Sequence, residues 1–438
     1  MGVAYVEYGG VRVVAGPPIG AKESLGELTR RFVEESRLAG RRVLFFSVEA
    51  SFLKVLQDEF GDKADSIAIG EQPEWELQKY GVDTPRHKTL RSQVRRAARK
   101  GVEVRMLTPE ELIQDRGALR AEIESVVEKW KAARKMSPMR FLVDLQPLHL
   151  PLERRYFIAE QNQRAVGLLI AIPVYAREGW FLEDVLRIPD APNGTVEMLI
   201  HTAMTQLQEE GARYATLGLC PLANLSTEPG KHRTLRRLFS FCYEKMGPLY
   251  QFKGLHSFKQ RFVPHEWQTE YLATVGKPID LLDIHVVLRA FSGDGLIAFA
   301  YDTAQRLLSR ITHRQWAIGL FSLAGLLVPW TFLLAIADGE YWFGDVSIQR
   351  AWVAFDSAMV LALTGLGTLL WKKKESAHTL SIFLAGATLT DFVLTTVQAF
   401  HLHHGVVGWT ALFVLAGAMG PLFATLVLMT LGMNRPSR

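Results

Sequence analysis

The stretch "GWFLEDVLRIPDAPNGTVEMLIHTAM", residues 179–204, decides the fold of this chain. Its first part is an apolar, strand-like run that carries acids and a base. Pro189 and Pro192 end this run, because proline lacks a backbone donor. An amphipathic helix pattern begins directly after "NGT" (193–195). Free backbone N–H groups and the helix dipole favour an anion at a helix N-terminus, so the stretch predicts a ligand-binding turn between a strand and a helix.

Periodicity on both sides of this stretch predicts one order of elements used twice. A helix is followed by antiparallel strands, a second helix and a further strand, which is the order of the acetyltransferase-like (GNAT) fold. We therefore expect an α/β (α+β) fold class with two such domains in tandem. The predicted elements of the first half are strands at 3–8 and 11–16, a helix at 22–39, a strand at 42–48, a helix at 51–60, a strand at 65–70, a helix that ends before Gly101 and a strand at 102–107. Those of the second half are a helix at 117–135, strands at 155–160, 165–175 and 179–187, a helix at 195–210, a strand at 213–219 and a helix near 232–246.

Four long apolar segments in the C-terminal part predict a membrane region, since about 20 residues cross a bilayer. They are 316–337, 352–371, 379–400 and 409–432. The predicted domains are 1–107 and 108–275 (the two acetyltransferase-like domains, the second with the active site), 276–314 (a juxtamembrane linker) and 315–438 (four transmembrane helices).

Basic residues flank these segments on one side only. Arginines precede the first segment, "KKK" (372–374) lies between the second and the third, and two arginines follow the fourth. The connection at 338–345 is acidic, and the one at 401–408 has no lysine or arginine. The positive-inside rule then predicts a multi-pass protein of the cell (inner) membrane, with the α/β part and both termini in the cytoplasm.

The net charge of +5 lies entirely within residues 1–314, because six basic and six acidic residues balance each other beyond them. Within this part, the segment 91–100 holds five cations and no acid. Helical spacing places Lys88, Arg91, Arg95 and Arg99 on one face, which predicts a phosphate-binding surface. The alternative is a solvated helix face without a partner.

The chain has two cysteines, Cys220 and Cys242, which predict no disulfide framework. Two interpretations stay open: buried apolar thiols in a reducing compartment, or a catalytic thiol.

Several short motifs together resemble the C-terminal catalytic domain of bacterial aminoacyl-phosphatidylglycerol synthases, the multiple peptide resistance factor family. Their order and spacing over residues 1–275 carry the resemblance, which does not extend to the apolar segments. The motifs are "LRSQVRRAARKG" (90–101), "DVLR" (184–187), "PNGTVEMLI" (192–200), "LGLCPL" (217–222) and "LYQFKGLHSFKQRFVPHEWQTEYLA" (249–273). The resemblance implies a tandem acetyltransferase-like fold, which agrees with the periodicity, and a transfer of an aminoacyl group from aminoacyl-tRNA to a lipid hydroxyl.

The resemblance implies Asp184 and Arg187 as catalytic residues, since the family has an Asp and an Arg three positions apart. Asp184 would accept the hydroxyl proton or hold the α-ammonium of the donor, and Arg187 would bind a phosphate. Residues three apart on an unbroken strand face opposite sides. Both can therefore reach one ligand only if the strand bulges or ends near Leu186, and the alternative is a structural ion pair.

Further residues are expected to bind substrate. Gly194 would allow a ligand to approach closely, and Asn193 or Thr195 would cap the helix. Lys253 and Lys259 match lysines of the closing motif and would contact phosphate, or would be plain surface lysines. Glu197 would help to read the amino acid or would complement the helix dipole.

The implied reaction needs positioning and proton transfer, so no cofactor and no metal are expected, and the expected partners are aminoacyl-tRNA and a membrane phospholipid. Nothing in the pattern predicts an oligomeric state. Two other functions stay open. The first is a coenzyme-A-dependent membrane acyltransferase, which the absence of a Q/R-x-x-G-x-G/A motif disfavours. The second is a non-catalytic membrane protein that binds anionic lipid or RNA.

Overall fold

The computed structural model describes residues 2–81, 85–114, 117–134, 141, 145–225, 231–245, 252–293, 295–308, 311–402 and 409–433. The chain forms two compact units, Met1–Tyr301 and Asp302–Arg438. The division between them falls inside the predicted linker 276–314. The first unit is a mixed α/β structure, and the second consists of helices.

One sheet of eleven strands organises the first unit, in the order β1-β2-β3-β11-β4-β9-β8-β7-β6-β5, with β10 paired to β4. Pairing is antiparallel except for β2 with β3 and β8 with β9. The strands are β1 Tyr5–Tyr8, β2 Val11–Ala15, β3 Arg42–Val48, β4 Ala64–Glu76, β5 Val102–Leu107, β6 Arg155–Gln161, β7 Arg164–Val174, β8 Gly179–Arg187, β9 Tyr214–Thr216, β10 Cys220–Pro221 and β11 Glu266–Val275.

Helices cover this sheet and build the second unit. Those of the first unit are α1 Leu25–Leu38, α2 Ala50–Phe60, α3 Lys88–Arg99, α4 Pro109–Gln114, α5 Ala118–Ala133, α6 Thr195–Glu209, α7 Arg233–Lys245, α8 Phe252–Gln260, α9 Leu281–Ser292 and the start of α10 Leu296–Leu308. Those of the second are α11 His313–Ile336, α12 Gly339–Phe343, α13 Val346–Trp371, α14 Ser376–Leu402 and α15 Trp409–Met433. The predicted order of helices and strands in the α/β part is confirmed.

Two strands cross the predicted domain boundary at residue 107. β5, which was assigned to the first domain, pairs with β6 at the edge of the second half. β11, which was assigned to the second domain, lies between β3 and β4 of the first half. The hydrogen-bonded ladder thus joins the two halves through exchanged strands, and a tandem of two separate domains stays a prediction.

Alternating side chains place helices on both sides of the sheet. In the first half, Val13 and Leu44 point into a hydrophobic cluster with α7 and α9, while Val14 and Phe45 point into a cluster with α1 and α2. In the second half, Leu169 and Ala171 of β7 pack towards α3 and α6, and Leu168 and Ile170 pack towards α5. This period of two is what a sheet buried on both faces requires.

Three helices of the second unit are long and apolar enough to cross a bilayer: His313–Ile336, Val346–Trp371 and Ser376–Gln398. They correspond to the first three predicted segments. The fourth segment has a helical backbone over Trp409–Met433, and its described apolar part is Met419–Gly432. A fourth span and the orientation of the spans stay predictions.

The contact between α3 and α6 depends on Gly194, which precedes α6. Its φ is +97°, a left-handed conformation that L side chains disfavour. A Cβ at this position would lie 2.1 Å from the carbonyl oxygen of Gln93 in α3. Glycine therefore permits both the turn into α6 and the close approach of α3.

Replacing Gly194 with alanine should destabilise the α/β unit, because the new Cβ would collide with the Gln93 carbonyl while φ stayed positive. We expect a loss of about 2–4 kcal/mol, measured as a lower thermal midpoint of the purified full chain. Gly211→Ala is the matched control: its φ is +87°, but nothing lies within 4 Å of the added Cβ. Its cost should be the backbone cost alone, about 1–2 kcal/mol. Equal midpoints for the two variants would contradict the α3–α6 contact.

Candidate functional site

Strands β8 and β9 separate at the centre of the sheet. They pair in parallel only between Gly179–Phe181 and Tyr214–Thr216. Beyond these residues β8 stays paired with β7, whereas the chain after β9 continues along β4 as β10. The segments Leu182–Arg187 and Leu217–Pro221 thus diverge, and we refer to the gap between them as the strand split.

Lys259 of α8 lies against the Leu217–Pro221 side of the strand split. Its ammonium group donates to the carbonyl oxygens of Leu217 (2.7 Å), Gly218 (2.8 Å) and Leu219 (3.1 Å). The residue is 6% exposed, and burial lowers the pKa of Lys259 to about 8, partly opposed by the neighbouring Cys220 thiol. Three carbonyls use the three N–H donors of an ammonium. These bonds stabilise the backbone at the strand split, and the predicted phosphate contact of Lys259 stays a prediction.

A β-bulge lies next to Asp184 on the opposite wall. Ile170 of β7 opposes Asp184, while Ala171 opposes Leu182, which leaves Glu183 as the extra residue. A bulge bends its strand and redirects the side chains beside it. Glu183 and Asp184 are brought together at the strand split in this way.

The surroundings of Asp184 bring the pKa of its carboxyl group close to neutral pH. Burial and, to a smaller extent, the neighbouring Glu183 carboxylate raise the pKa of Asp184 to about 7, and the Arg154 guanidinium opposes both. Tyr156 shares this environment: burial raises its pKa to about 12, with a contribution from the charge of Asp184. A half-buried carboxyl that changes charge near neutral pH suits proton transfer or binding of an ammonium group.

Arg187 and Asp184 do not share a face of the sheet. The β7–β8 register is regular from Asp184 to Arg187, so the bulge precedes this pair instead of separating its members. Leu186 packs towards α5 and Val185 towards α6, which by alternation places Asp184 on the α5 side and Arg187 on the α6 side. The Arg187 guanidinium donates to the carbonyl of Ala191 (3.2 Å). The bulge therefore does not bring the two side chains to one face, whereas β8 ends at Arg187, so joint action of the two on one ligand stays a prediction. No ion pair joins them among the described residues.

The start of α6 differs from the predicted ligand-binding turn. The Gln93 carbonyl of α3 occupies the space beside Gly194 that was expected for a ligand. Thr195 is fully buried, and its hydroxyl donates to the carbonyl of Pro192 (2.7 Å). Gly194 is itself the N-cap, without a side-chain capping bond, and Asn193 is exposed. The expected capping by Asn193 or Thr195 is absent at this helix start.

Two further predicted residues bind to protein groups. Glu197, in the first turn of α6, is 8% exposed and accepts a hydrogen bond from the Arg261 guanidinium (3.1 Å). Lys253 is exposed, and its ammonium lies 5.7 Å from the centroid of the Tyr243 ring. Their roles towards substrate stay predictions.

Helix α3 presents the predicted basic face. Leu90 and Ala97 are buried, whereas Lys88, Arg95 and Arg99 are exposed. No ion pair between described residues involves any of these three cations. A shallow pocket lies beside this face, between α3 and α6, and is lined by Leu90, Arg91, Val94, Arg95 and His201.

The sequence reasoning missed a histidine–glutamate pair beside Lys259. The Nε2 atom of His256 lies 2.8 Å from Oε1 of Glu71, and the side-chain amide of Asn224 donates to Oε2 (3.2 Å). The His256 ring stacks on Trp267 with centroids 4.5 Å apart. A signal was present in the closing motif, because His256 precedes Lys259 by three residues and so lies on the same helix face. Glu71 gave none, because it lies far away in the chain.

A second polar cluster was also missed. Arg177 donates to Glu49 (2.6 Å) and Glu74 (2.7 Å), and the Ser47 hydroxyl donates to the buried Glu270 (3.0 Å). Burial raises the pKa of Glu270 to about 7. Ser47, Glu74 and Glu270 lie on three different strands, Glu49 precedes α2 and Arg177 ends a short helical turn, so no local motif predicts this cluster.

Both thiols are poor nucleophiles in this structure. Cys220 is 1% exposed and Cys242 is half-buried, and burial raises the pKa of each thiol. A reactive cysteine needs the opposite shift. The structure favours the interpretation as structural thiols.

Residues 1–274 match the model of the family "Phosphatidylglycerol lysyltransferase, C-terminal". The chain belongs to this family. The resemblance seen in the sequence motifs is thereby confirmed, over the part of the chain that carries them.

Among its relatives, a phosphatidylglycerol lysyltransferase of Bacillus subtilis is 26% identical over 262 residues, which is 60% of this chain and 29% of that protein. The lysylphosphatidylglycerol biosynthesis bifunctional protein LysX of Nocardia farcinica is 24% identical over 170 residues, 38% of this chain and 14% of that protein. The chain thus spans less than a third of the length of these relatives. Their names support lipid aminoacylation at the level of the family.

Two solved structures share the fold. The C-terminal domain of a lysylphosphatidylglycerol synthetase from Agrobacterium fabrum has a TM-score of 0.56 at 23% identity, covering 66% of this chain and 86% of that one. L-PGS from Bacillus licheniformis has a TM-score of 0.53 at 19% identity, covering 66% and 85%. At these identities the likeness concerns the fold alone.

Proposed function

We propose that this chain is a membrane-bound aminoacyltransferase that moves an aminoacyl group from aminoacyl-tRNA to the hydroxyl of phosphatidylglycerol or a related lipid. The observation that carries the proposal is the half-buried Asp184 at the strand split, in a chain of this family. The apolar helices of the second unit support a membrane location. We place the α/β unit and both termini in the cytoplasm, where aminoacyl-tRNA is found.

The proposed reaction is a transesterification. The lipid hydroxyl oxygen forms a bond to the aminoacyl carbonyl carbon, and the bond from that carbon to the tRNA ribose oxygen breaks. One proton leaves the lipid hydroxyl and one reaches the ribose oxygen, so neither oxidant nor reductant takes part. The protein has to align the two substrates, move the proton and stabilise the developing oxyanion.

Asp184 suits this chemistry in either of its two roles. As a base, its ionised carboxylate would take the hydroxyl proton; as a binding group, it would hold the α-ammonium of the aminoacyl donor. Arg187, on the α6 side of the strand, would contact a phosphate at a distance from Asp184 and not beside it. His256, held by Glu71, is a second group able to carry a proton.

The basic face of α3 is our proposed contact for tRNA phosphates. Lys88, Arg95 and Arg99 are exposed, and acids are absent from the helix. Binding of phosphates by such cations releases counterions and weakens with salt. The half-buried Arg91 lines the adjoining pocket between α3 and α6.

The coenzyme A alternative fits the structure less well. An anionic pyrophosphate at the start of α6 would meet the Gln93 carbonyl that already covers Gly194. The Lys259 ammonium also binds the carbonyls of 217–219 at the strand split. These contacts leave the aminoacyl transfer as the function that we favour.

Lipid analysis of cells that express the full chain tests the reaction class. Wild type should yield a new lipid heavier by one aminoacyl residue, visible by ninhydrin staining and identified by mass spectrometry. Asp184→Asn should lower its amount by about 10²-fold or more, since the carboxylate is lost. Asp190→Asn, an exposed acid in the following turn, is the control and should keep the product. Absence of any new lipid from cells with membrane-inserted wild type would contradict the proposed function.

The pH dependence of transfer should report on Asp184. If the ionised carboxylate acts, the rate should rise with pH through about 7, the pKa to which burial raises Asp184. Glu183→Gln removes a negative charge that raises this pKa, so the rise should move to lower pH with the same substrates. An unchanged profile in Glu183→Gln would show that another group controls the rate.

The salt dependence of tRNA binding tests whether the basic face of α3 contacts tRNA phosphates. Arg95→Ala with Arg99→Ala should weaken binding and reduce the slope of log K against log salt by about 1–2. Arg30→Ala with Arg31→Ala is the matched control, because these α1 guanidiniums pair with Glu59 and Glu35. Equal losses in the two double variants would argue against a specific contact at α3.

A further inference from the structure

Helices α7 and α9 share one hydrophobic cluster on one side of the sheet. Leu235 and Phe239 of α7 lie in it together with Val287 and Ala290 of α9. The ring of Phe291 lies 5.2 Å from that of Phe46 in β3, which fixes α9 on the sheet. Because both helices turn their inner faces to the same cluster, their outer faces point away from the sheet on the same side.

The outer face of α9 is apolar although it is exposed. Leu281, Leu282 and Leu288 are 54%, 70% and 52% exposed. His285 lies among them and is also exposed. These three large aliphatic side chains lie on the outer face of one helix and form an exposed apolar patch, and such patches often mark interaction surfaces.

The outer face of α7 combines cations with apolar side chains. Phe241 is 60% exposed and Leu238 is 37% exposed. They lie among Arg233, Arg237 and Lys245, which are exposed as well. The helix contains a single acid, Glu244, so this face has a positive net charge. We call the outer faces of α7 and α9 together the α7–α9 surface.

The chemistry of the α7–α9 surface favours an anionic lipid surface over RNA. A helix with Phe and Leu beside Arg and Lys lies at the interface of a bilayer, with its apolar groups in the headgroup region and its cations at lipid phosphates. RNA binding would use the cations and an aromatic ring for stacking. Four of the five exposed apolar residues are leucines, which neither stack on bases nor bind phosphate.

The chain itself keeps this surface close to a membrane. The first helix that is long and apolar enough to cross a membrane begins at His313, about 20 residues after α9 ends at Ser292. With α10 helical, these residues span at most about 45 Å. If that helix crosses a bilayer, α9 therefore ends within about 45 Å of the residue at which the helix begins.

We propose that the α7–α9 surface lies on the anionic surface of the membrane that the second unit crosses. The leucines and Phe241 enter the headgroup region, and Arg233, Arg237 and Lys245 contact lipid phosphates. α8, which follows α7 in the chain, carries Lys259 at the strand split, so this contact brings the candidate site to the lipid. The proposal concerns membrane docking and stands whether or not the proposed reaction is correct.

Depth measurements on the full chain in liposomes test the docking. A fluorescent label on Leu282→Cys, Leu288→Cys or Leu238→Cys should be quenched at least about threefold more by lipids that carry a nitroxide near the headgroup than by a water-soluble quencher. Quenching should be stronger with phosphatidylglycerol than with phosphatidylcholine alone. Cys242→Ser removes the half-buried thiol, whereas Cys220 is 1% exposed and escapes labelling.

Leu38→Cys is the matched control, because Leu38 is 81% exposed on α1, whose cluster lies on the other side of the sheet. Its label should respond to the aqueous quencher. Responses at 282 and 288 equal to that at 38 would overturn the proposal. Protection that rises with the protein-to-lipid ratio would instead assign the surface to a second copy of the chain, and protection that requires added tRNA would assign it to RNA; either result also overturns the proposal.

Discussion

Three backbone carbonyls, those of Leu217, Gly218 and Leu219, follow the point where β8 and β9 cease to pair, and the Lys259 ammonium binds all of them. A buried carbonyl without a donor costs about 1–3 kcal/mol. Where two central strands separate, their unpaired backbone carbonyls therefore need a hydrogen-bond donor from another part of the protein. Lys259 supplies that donor from α8, so the strand split depends on the closing segment of the α/β unit.

The same segment also ties the two halves of the sheet together. After α8, the chain enters β11, which lies between β3 and β4 and pairs with both. At the other end, β5 joins the second half by pairing with β6. The two halves thus exchange strands, and the candidate site lies where β4, β9 and β8 meet. Its geometry is a property of the whole sheet and not of one repeat.

Acidic and basic side chains lie in different places around the strand split: Asp184 and Arg187 are on opposite sides of β8, and further cations are on α3. Asp184 lies towards α5, and burial together with Glu183 raises its pKa to about 7. Arg187 lies on the other side of the same strand. Lys88, Arg95 and Arg99 of α3 are exposed and form no ion pair within the described part of the chain, so their positive potential can attract a polyanion. A site of this form can keep an acidic reacting centre apart from a basic binding surface.

The sequence by itself determined the order of elements, the buried face of α3, the family and the long apolar segments. These features follow from periodicity and local composition, which act over one helix or strand. Only the tertiary structure decided the close contact at Gly194, the bulge before Asp184, the role of Lys259 and the pairing of His256 with Glu71. The lysine shows the reason: a motif indicates that a cation is present, but its partners are carbonyls about 40 residues away, brought near by strand pairing. Contacts between distant segments depend on which strands become neighbours in the sheet, and a pattern confined to one helix or strand does not specify this.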